Sequence, residues 1–155
     1  MSTLWSGRFD QAPDAAAFEW GSSFSFDRRL FEDDVTGSLA WARALAGAGV
    51  LTAAEASAIQ ATLSDILEQG RANPAFVSGD DEDVHSFVER LLVAKLGDTG
   101  KRLHTGRSRN EQVSLDLRLY LRRRIPALQE AVANIIAALT AQARAAGDAL
   151  MPSYT

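Results

Sequence analysis

Cysteine is absent from the 155 residues. That excludes a disulfide framework, a thiolate zinc site and a cysteine nucleophile together, and it favours a reducing compartment. Histidine is scarce too: His85 and His104 are the chain's two, and they form no recognisable ligand pair. No apolar run approaches the ~18 residues of a membrane span. The start "MSTLWSGRFDQ" lacks the long apolar core of a signal peptide, so a soluble, cytoplasmic protein without membrane contact is expected. Internal repeats and low-complexity linkers are missing as well. Positive charge is not in excess, because the net charge is −4. A general polyanion binder would need a basic face, which only local charge reveals.

What is present is an ordinary globular balance, 46% hydrophobic and 23% charged, in a chain long enough to bury roughly two-thirds of its surface. Met1 to Phe26 show no sustained period and read as an extended arm. Periodicity begins at Asp27, a candidate N-cap, with Leu30, Phe31, Val35, Leu39, Ala42 and Leu45 on one helical face before "GAG". Thr52 and Glu55 in "TAAE" form a capping box for the next helix. Its stripe is Ile59, Leu63, Ile66 and Leu67, with Gly70 as the expected stop. A third helix follows "GDDEDVH", whose acidic first turn suits the positive end of a helix dipole. Val84, Phe87, Val88, Leu91 and Leu92 face inwards there, and Gly97 ends it.

"QVSLDLRLYLRRR" is ambiguous in period. Val113, Leu115, Leu117, Leu119 and Leu121 alternate as in a half-buried strand. Leucine and arginine are strong helix formers, however, and the stretch has one β-branched residue, so helix is favoured. Val113, Leu117 and Leu121 then make one apolar stripe, and Leu115 and Leu119 a second, as in a helix buried on two sides. Pro126 permits a kink or a break. Beyond it Leu128, Val132, Ile135, Ile136 and Leu139 carry a helix towards Gly147. The expected fold is all-α: a small helical N-terminal domain over residues 1–110 with its arm, then the start of a long central helix bundle over 111–155.

The chemistry concentrates in "KRLHTGRSRNEQ". Eight of the sixteen Lys and Arg residues lie between Lys101 and Arg124, against Glu111 and Asp116. Arg107 and Arg109 flank Ser108 just before a helix start. Guanidinium groups, free amides and a hydroxyl there suit a carboxylate or phosphate, and Asn110 can both donate and accept. The other reading is that Ser108 or Asn110 caps the helix and the arginines are solvated. "GDTGKR" is not a phosphate loop, lacking the spacing and the following Ser or Thr. The carboxylates of "DDEDVH" point in different directions on a helix, so no metal site is expected. His85 is a polar residue aimed at a pocket, with Asp83 or a neighbour fixing its tautomer. In "GSSFSFDRRL" the serines alternate with aromatics in a loop on a core. The arginines of "LYLRRR" read as helix-surface charge, and nucleic acid is not an expected partner.

In order along the chain, "LWSGRF", "SFDRRL", "DVTGS", "LTAAEA", "DEDVHS", "LHTGRSRNEQV" and "MPSYT" resemble the argininosuccinate lyase family of the fumarase/aspartase superfamily. The resemblance implies an all-α homotetramer that needs no cofactor and cleaves argininosuccinate to arginine and fumarate by β-elimination, the last step of arginine biosynthesis. It implies that Arg107, Ser108, Arg109 and Asn110 hold the succinate end. Ser23 matches a substrate-binding serine, Asp27 the acidic residue near it, His85 the site histidine and Thr155 a substrate-contacting threonine, in sites assembled from several subunits. Glu111 stands where the family more often has aspartate and Ser153 where it often has glycine. The family's next histidine would follow Thr155, and its catalytic serine loop lies further on. The chain therefore resembles an amino-terminal piece holding binding residues and no catalytic acid–base pair, inactive alone and exposing apolar helix faces. Alternatives are another superfamily lyase, such as adenylosuccinate lyase, and a non-catalytic protein of the δ-crystallin kind.

Overall fold

Asp14, Thr52 and Asp83 cap three of the helix starts with short polar side chains, and Asn73 before Pro74, Gly97 and Gly147 follow three of the ends. The computed structural model describes residues 14–150 and 152–153. Among these the α-helices are α1 (Ala15–Gly21), α2 (Phe24–Asp27), α3 (Phe31–Gly47), α4 (Ala53–Ala72), α5 (Val84–Leu96), α6 (Asp98–Lys101) and α7 (Arg109–Ala146), with no strand. The all-α expectation holds. The chain divides into two compact units, one running to Leu119 and the other beginning at Tyr120.

The first unit is built on α3, α4 and α5, which bury Phe31, Val35, Leu45, Ile59, Leu63, Ile66, Val84, Phe87, Val88 and Leu92 in one core. The capping box at Thr52 is complete: its side chain accepts from Glu55 N–H, and Glu55 accepts from Thr52 N–H at 2.8 Å. Arg102 ties the later basic segment to this corner through Glu55 and by donating to Val50 O at 2.6 Å. Phe24 stacks on Phe87 at 5.3 Å, and Phe31 and Phe76 meet Phe87 edge-on at 6.1 and 6.0 Å. These rings fix the loop between α4 and α5 against α3.

Several expectations are corrected. Part of the arm is helical, because Asp14 accepts from Ala17 N–H and starts α1 on three alanines. Asp27 does not cap α3; it closes α2, and Leu30 precedes α3 without a side-chain cap. Gly70 is not a stop. α4 continues to Ala72 and ends at Asn73 before Pro74, where the proline disfavours further helix. Gly70 is instead a contact point, since a Cβ there would fall on the Phe31 ring. The acidic residues before α5 lie outside its first turn, and Asp83 is the N-cap, accepting from Ser86 N–H at 2.6 Å. α7 runs through Pro126 without a break. Val113, Leu115 and Leu117 are 41–49% exposed, whereas Gln112 and Asp116 are buried. The inward face of this helix is polar.

The described part of the second unit is the remainder of α7 with residues 147–150 and 152–153. Its Leu121, Ile125, Leu128, Val132, Ile135, Ile136 and Leu139 are all exposed. Gly147 takes a positive φ of 55°, a conformation open to glycine, where the helix ends. Met1 to Pro13, Met151, Tyr154 and Thr155 lie outside the described residues.

Candidate functional site

The segment before α7 turns at Gly106, whose φ is 67°. Arg107 N–H donates to His104 O at 3.1 Å, and Thr105 Oγ1 to Arg102 O at 2.7 Å. Ser108 precedes α7, and its N–H donates to Glu111 Oε1 at 3.1 Å, the returning half of a capping box. Capping and ligand binding are thus not exclusive here. Glu111 does the capping through its side chain, while Ser108 and Asn110 are exposed at the positive end of a 38-residue helix.

The two arginines turn towards the protein. Arg107 is half-buried and donates to Ser38 Oγ on α3 at 2.9 Å. Burial lowers its pKa, opposed by the charges of Asp34 and Asp116, yet an arginine stays cationic. Arg109 lies along the start of α5. Its Nε is 3.2 Å from Asp83 Oδ2, its Nη2 donates to Ser86 Oγ at 3.4 Å, and its Nη1 donates to Gln112 Oε1 at 3.1 Å.

His85, in the first turn of α5, is 3% exposed. Its Nδ1 lies 2.8 Å from Asp34 Oδ1 on α3 and 3.4 Å from Asp116 Oδ2 on α7. Gln112 Nε2 donates to the same Asp34 oxygen at 3.0 Å. The short carboxylate contact puts a hydrogen on Nδ1 and leaves Nε2 as the ring's other polar atom. Asp34 Oδ2 and both Asp116 oxygens are buried without a hydrogen-bond partner. The Asp116 carboxyl is pushed up to about 8, first by burial and then by the charge of Asp34, with Arg107 pulling the other way.

Asp34, Ser38, His85, Glu89, His104 and Arg107 line a cavity of about 20 Å³, room for about one water. His104 Nδ1 is 3.5 Å from Glu89 Oε2 at its edge. Asp34, His85 and Asp116 each offer a ligand atom within 4.8 Å of the others, a spacing a cation would accept. Arg107 already supplies positive charge there.

Ser23 and Asp27 meet the same helix start. Ser23 Oγ donates to Asp27 Oδ2 at 2.5 Å, and Asp27 Oδ1 accepts from Val84 N–H at 3.1 Å. Asp27 therefore caps α5 across space rather than its own neighbour α3. Burial raises its pKa, followed by Asp83's charge, while Ser23 lowers it. Ser23 N–H also donates to Glu82 O at 2.8 Å.

A family model described as Lyase matches residues 7–155. The chain belongs to the Lyase family. The argininosuccinate lyase of Desulforudis audaxviator (strain MP104C) is 46% identical over 155 residues, all of this chain and 34% of that protein. This Lyase-family chain spans about a third of the length of the curated relative it matches.

Of the residues singled out in this Lyase-family sequence, Ser23, Asp27, His85 and Arg109 gather around the first turns of α5. Arg107 lines the cavity together with His85, and Thr155 lies outside the described residues. His85's partner is Asp34 rather than Asp83. Asp34, Ser38, Gln112 and Asp116 were not singled out. A signal for the last two existed: they stand four apart, on one face of a helix, in the run where leucine drew attention.

Proposed function

We propose that the chain supplies the amino-terminal, substrate-holding part of an argininosuccinate lyase, which cleaves argininosuccinate to arginine and fumarate. The elimination needs a base to take a proton beside a carboxylate while the guanidinium nitrogen leaves with help from an acid. The intermediate is an aci-carboxylate with extra negative charge, and fixed positive and hydrogen-bonding groups aimed at that charge lower the barrier. Arg107, Ser108, Arg109 and Asn110 hold the succinate end, Ser23, Asp27 and His85 line the adjoining helix start, and Thr155 contacts substrate. The base and acid come from outside this chain, in a homotetramer that shares its sites between subunits. No cofactor takes part, and the setting is cytoplasmic.

The observation that carries this reading is the exposure of Ser108 and Asn110 at the positive end of α7, beside arginines held by their own partners. Free polar groups at a helix start beside fixed guanidinium groups are the setting in which an anion is held without rearrangement, which supports the reading. The test is fumarate release by the full-length protein, followed by ultraviolet absorbance, with argininosuccinate and adenylosuccinate offered separately. Turnover of argininosuccinate, with Asn110→Ala lowering kcat/KM by about 10²–10³, is expected. Turnover of adenylosuccinate alone, or an Asn110→Ala variant as active as its parent, refutes the reading.

A further inference from the structure

The reading above uses His85 and Arg107 but leaves two buried carboxyl groups without a task. Asp34 and Asp116 are 1% and 0% exposed, and three of their four oxygens have no partner. Two ionised carboxylates in that position would hold two negative charges in a buried site with Arg107 beside them. One proton changes the balance. A protonated Asp116 carries one charge fewer and gains a donor, and Asp34 Oδ2 is an acceptor still without one.

We propose that Asp34 and Asp116 share a single proton, and that this pair is a positioning device holding the His85 ring and the Arg107 guanidinium at the cavity. It rests on the reading of those two residues as substrate contacts. With the shared proton on the Asp116 side, His85 Nδ1–H and Gln112 Nε2–H both donate to Asp34 Oδ1, and Gln112 Oε1 is left to accept from Arg109. One carboxylate thereby sets the tautomer of the histidine and, through an amide whose orientation is forced, the pose of the second arginine. Asp116 touches none of the substrate and acts through Asp34 and Arg107. Gly37 lets α3 come close enough for this: a Cβ there would stand 3.1 Å from Leu115 Cδ2 and 3.6 Å from Asp116 Oδ1.

The charged and titratable groups that face Asp116 are Asp33 and Asp34 from α3, His85 from α5 and Arg107 from the turn before α7. Burial and Asp34 keep Asp116 protonated up to about 8. Raising the pH through that value puts a second negative charge beside Asp34, which draws Arg107 and the His85 N–H away from the cavity. KM then rises with pH while kcat changes less.

The experiment compares the full-length protein with Asp116→Asn and Asp116→Leu. Asn keeps a neutral donor, so its KM at neutral pH stays within about threefold of the parent and the alkaline rise, up to tenfold per pH unit, disappears. Leu supplies no donor and raises KM tenfold or more at neutral pH. Infrared difference spectra give an answer that needs no turnover. A protonated-carboxyl C=O band, lost as pH rises through about 8 and missing from Asp116→Asn, supports the shared proton even if argininosuccinate is not the substrate. Absence of that band from the parent at neutral pH, or its survival in Asp116→Asn, overturns it. An alkaline KM rise that persists in Asp116→Asn also overturns it.

Discussion

Gly70→Ala sets two effects of opposite sign against each other. Alanine in a helix interior is favoured over glycine by ~1 kcal/mol. Against this, the new Cβ would lie 2.7 Å from Phe31 Cζ and 3.1 Å from its Cδ1, with a third ring atom nearer still. A ring edge on an open surface would swing away. Phe31 is 4% exposed, however, and its ring is bounded by Phe76 and Phe87 at 6.5 and 6.1 Å. Moving it disturbs the contact between α3 and the loop before α5, and overpacking of this kind costs about 1–3 kcal/mol. With the ring held on both sides the clash outweighs the helix preference, and the net expectation is a loss of up to about 2 kcal/mol. Gly47 supplies the control, being helical with nothing within 4 Å of its added Cβ; Gly47→Ala should stabilise by up to ~1 kcal/mol. Urea denaturation of the 155-residue chain followed by far-ultraviolet circular dichroism reads both. A Gly70→Ala variant at least as stable as the parent, alongside a stabilised Gly47→Ala, would show that the ring has room and that the packing argument fails.

Thr52→Ala removes one half of the capping box and should lower stability by ~1 kcal/mol in the same assay. Asp116 keeps its proton up to about 8 in the folded chain against an ordinary 3.8, so the folded state binds the extra proton between those values. Its contribution to stability is full below pH 3.8 and falls as pH rises through the window, by at most ~1.4 kcal/mol per pH unit; the Asp116→Asn variant should lose that component of the slope. The 155-residue chain should self-associate through the exposed leucines and isoleucines of its second unit, and a clean monomer in sedimentation at high concentration would contradict this. The same chain should release no fumarate from argininosuccinate, as measured by ultraviolet absorbance.

Local signals were legible where cause and effect lie within one turn of helix. The Thr52–Glu55 box, the stripe of α4 and the end of α5 at Gly97 needed nothing from the rest of the chain. The leucine-rich run before Pro126 also read correctly as helix, because residue preference outweighed its alternating pattern. Apart from the Asp14 cap of α1, a local signal that was missed, what failed was set by a partner far away in sequence. Gly70 read as a stop, since only Phe31, 39 residues earlier, makes it a contact. Asp27 read as the cap of the next helix, and its acceptor is spent on Val84 N–H instead. The buried pair was invisible for the same reason. Aspartate on a helix is ordinarily a surface residue, and nothing adjacent to Asp34 or Asp116 announces that each is the other's neighbour.

The acidic total charge and the anion-seeking turn are compatible once charge is weighed by distance. Surface carboxylates more than ~8–10 Å away are largely screened, so the groups that matter are those touching the two arginines. Arg109 is answered by Asp83, with Glu89 at 3.9 Å, and Arg107 by Asp34 and Asp116. With Asp116 ionised, Arg107 would face two negative charges and the cavity would repel a dicarboxylate. With Asp116 protonated, Arg107 and Asp34 cancel, and the start of α7 is left with the positive end of the helix and the capping side chain of Glu111 beside it. Under the proposed protonation, a chain of net charge −4 keeps a seat open to an anion, because one buried carboxyl is neutral where its ionisation would do most harm.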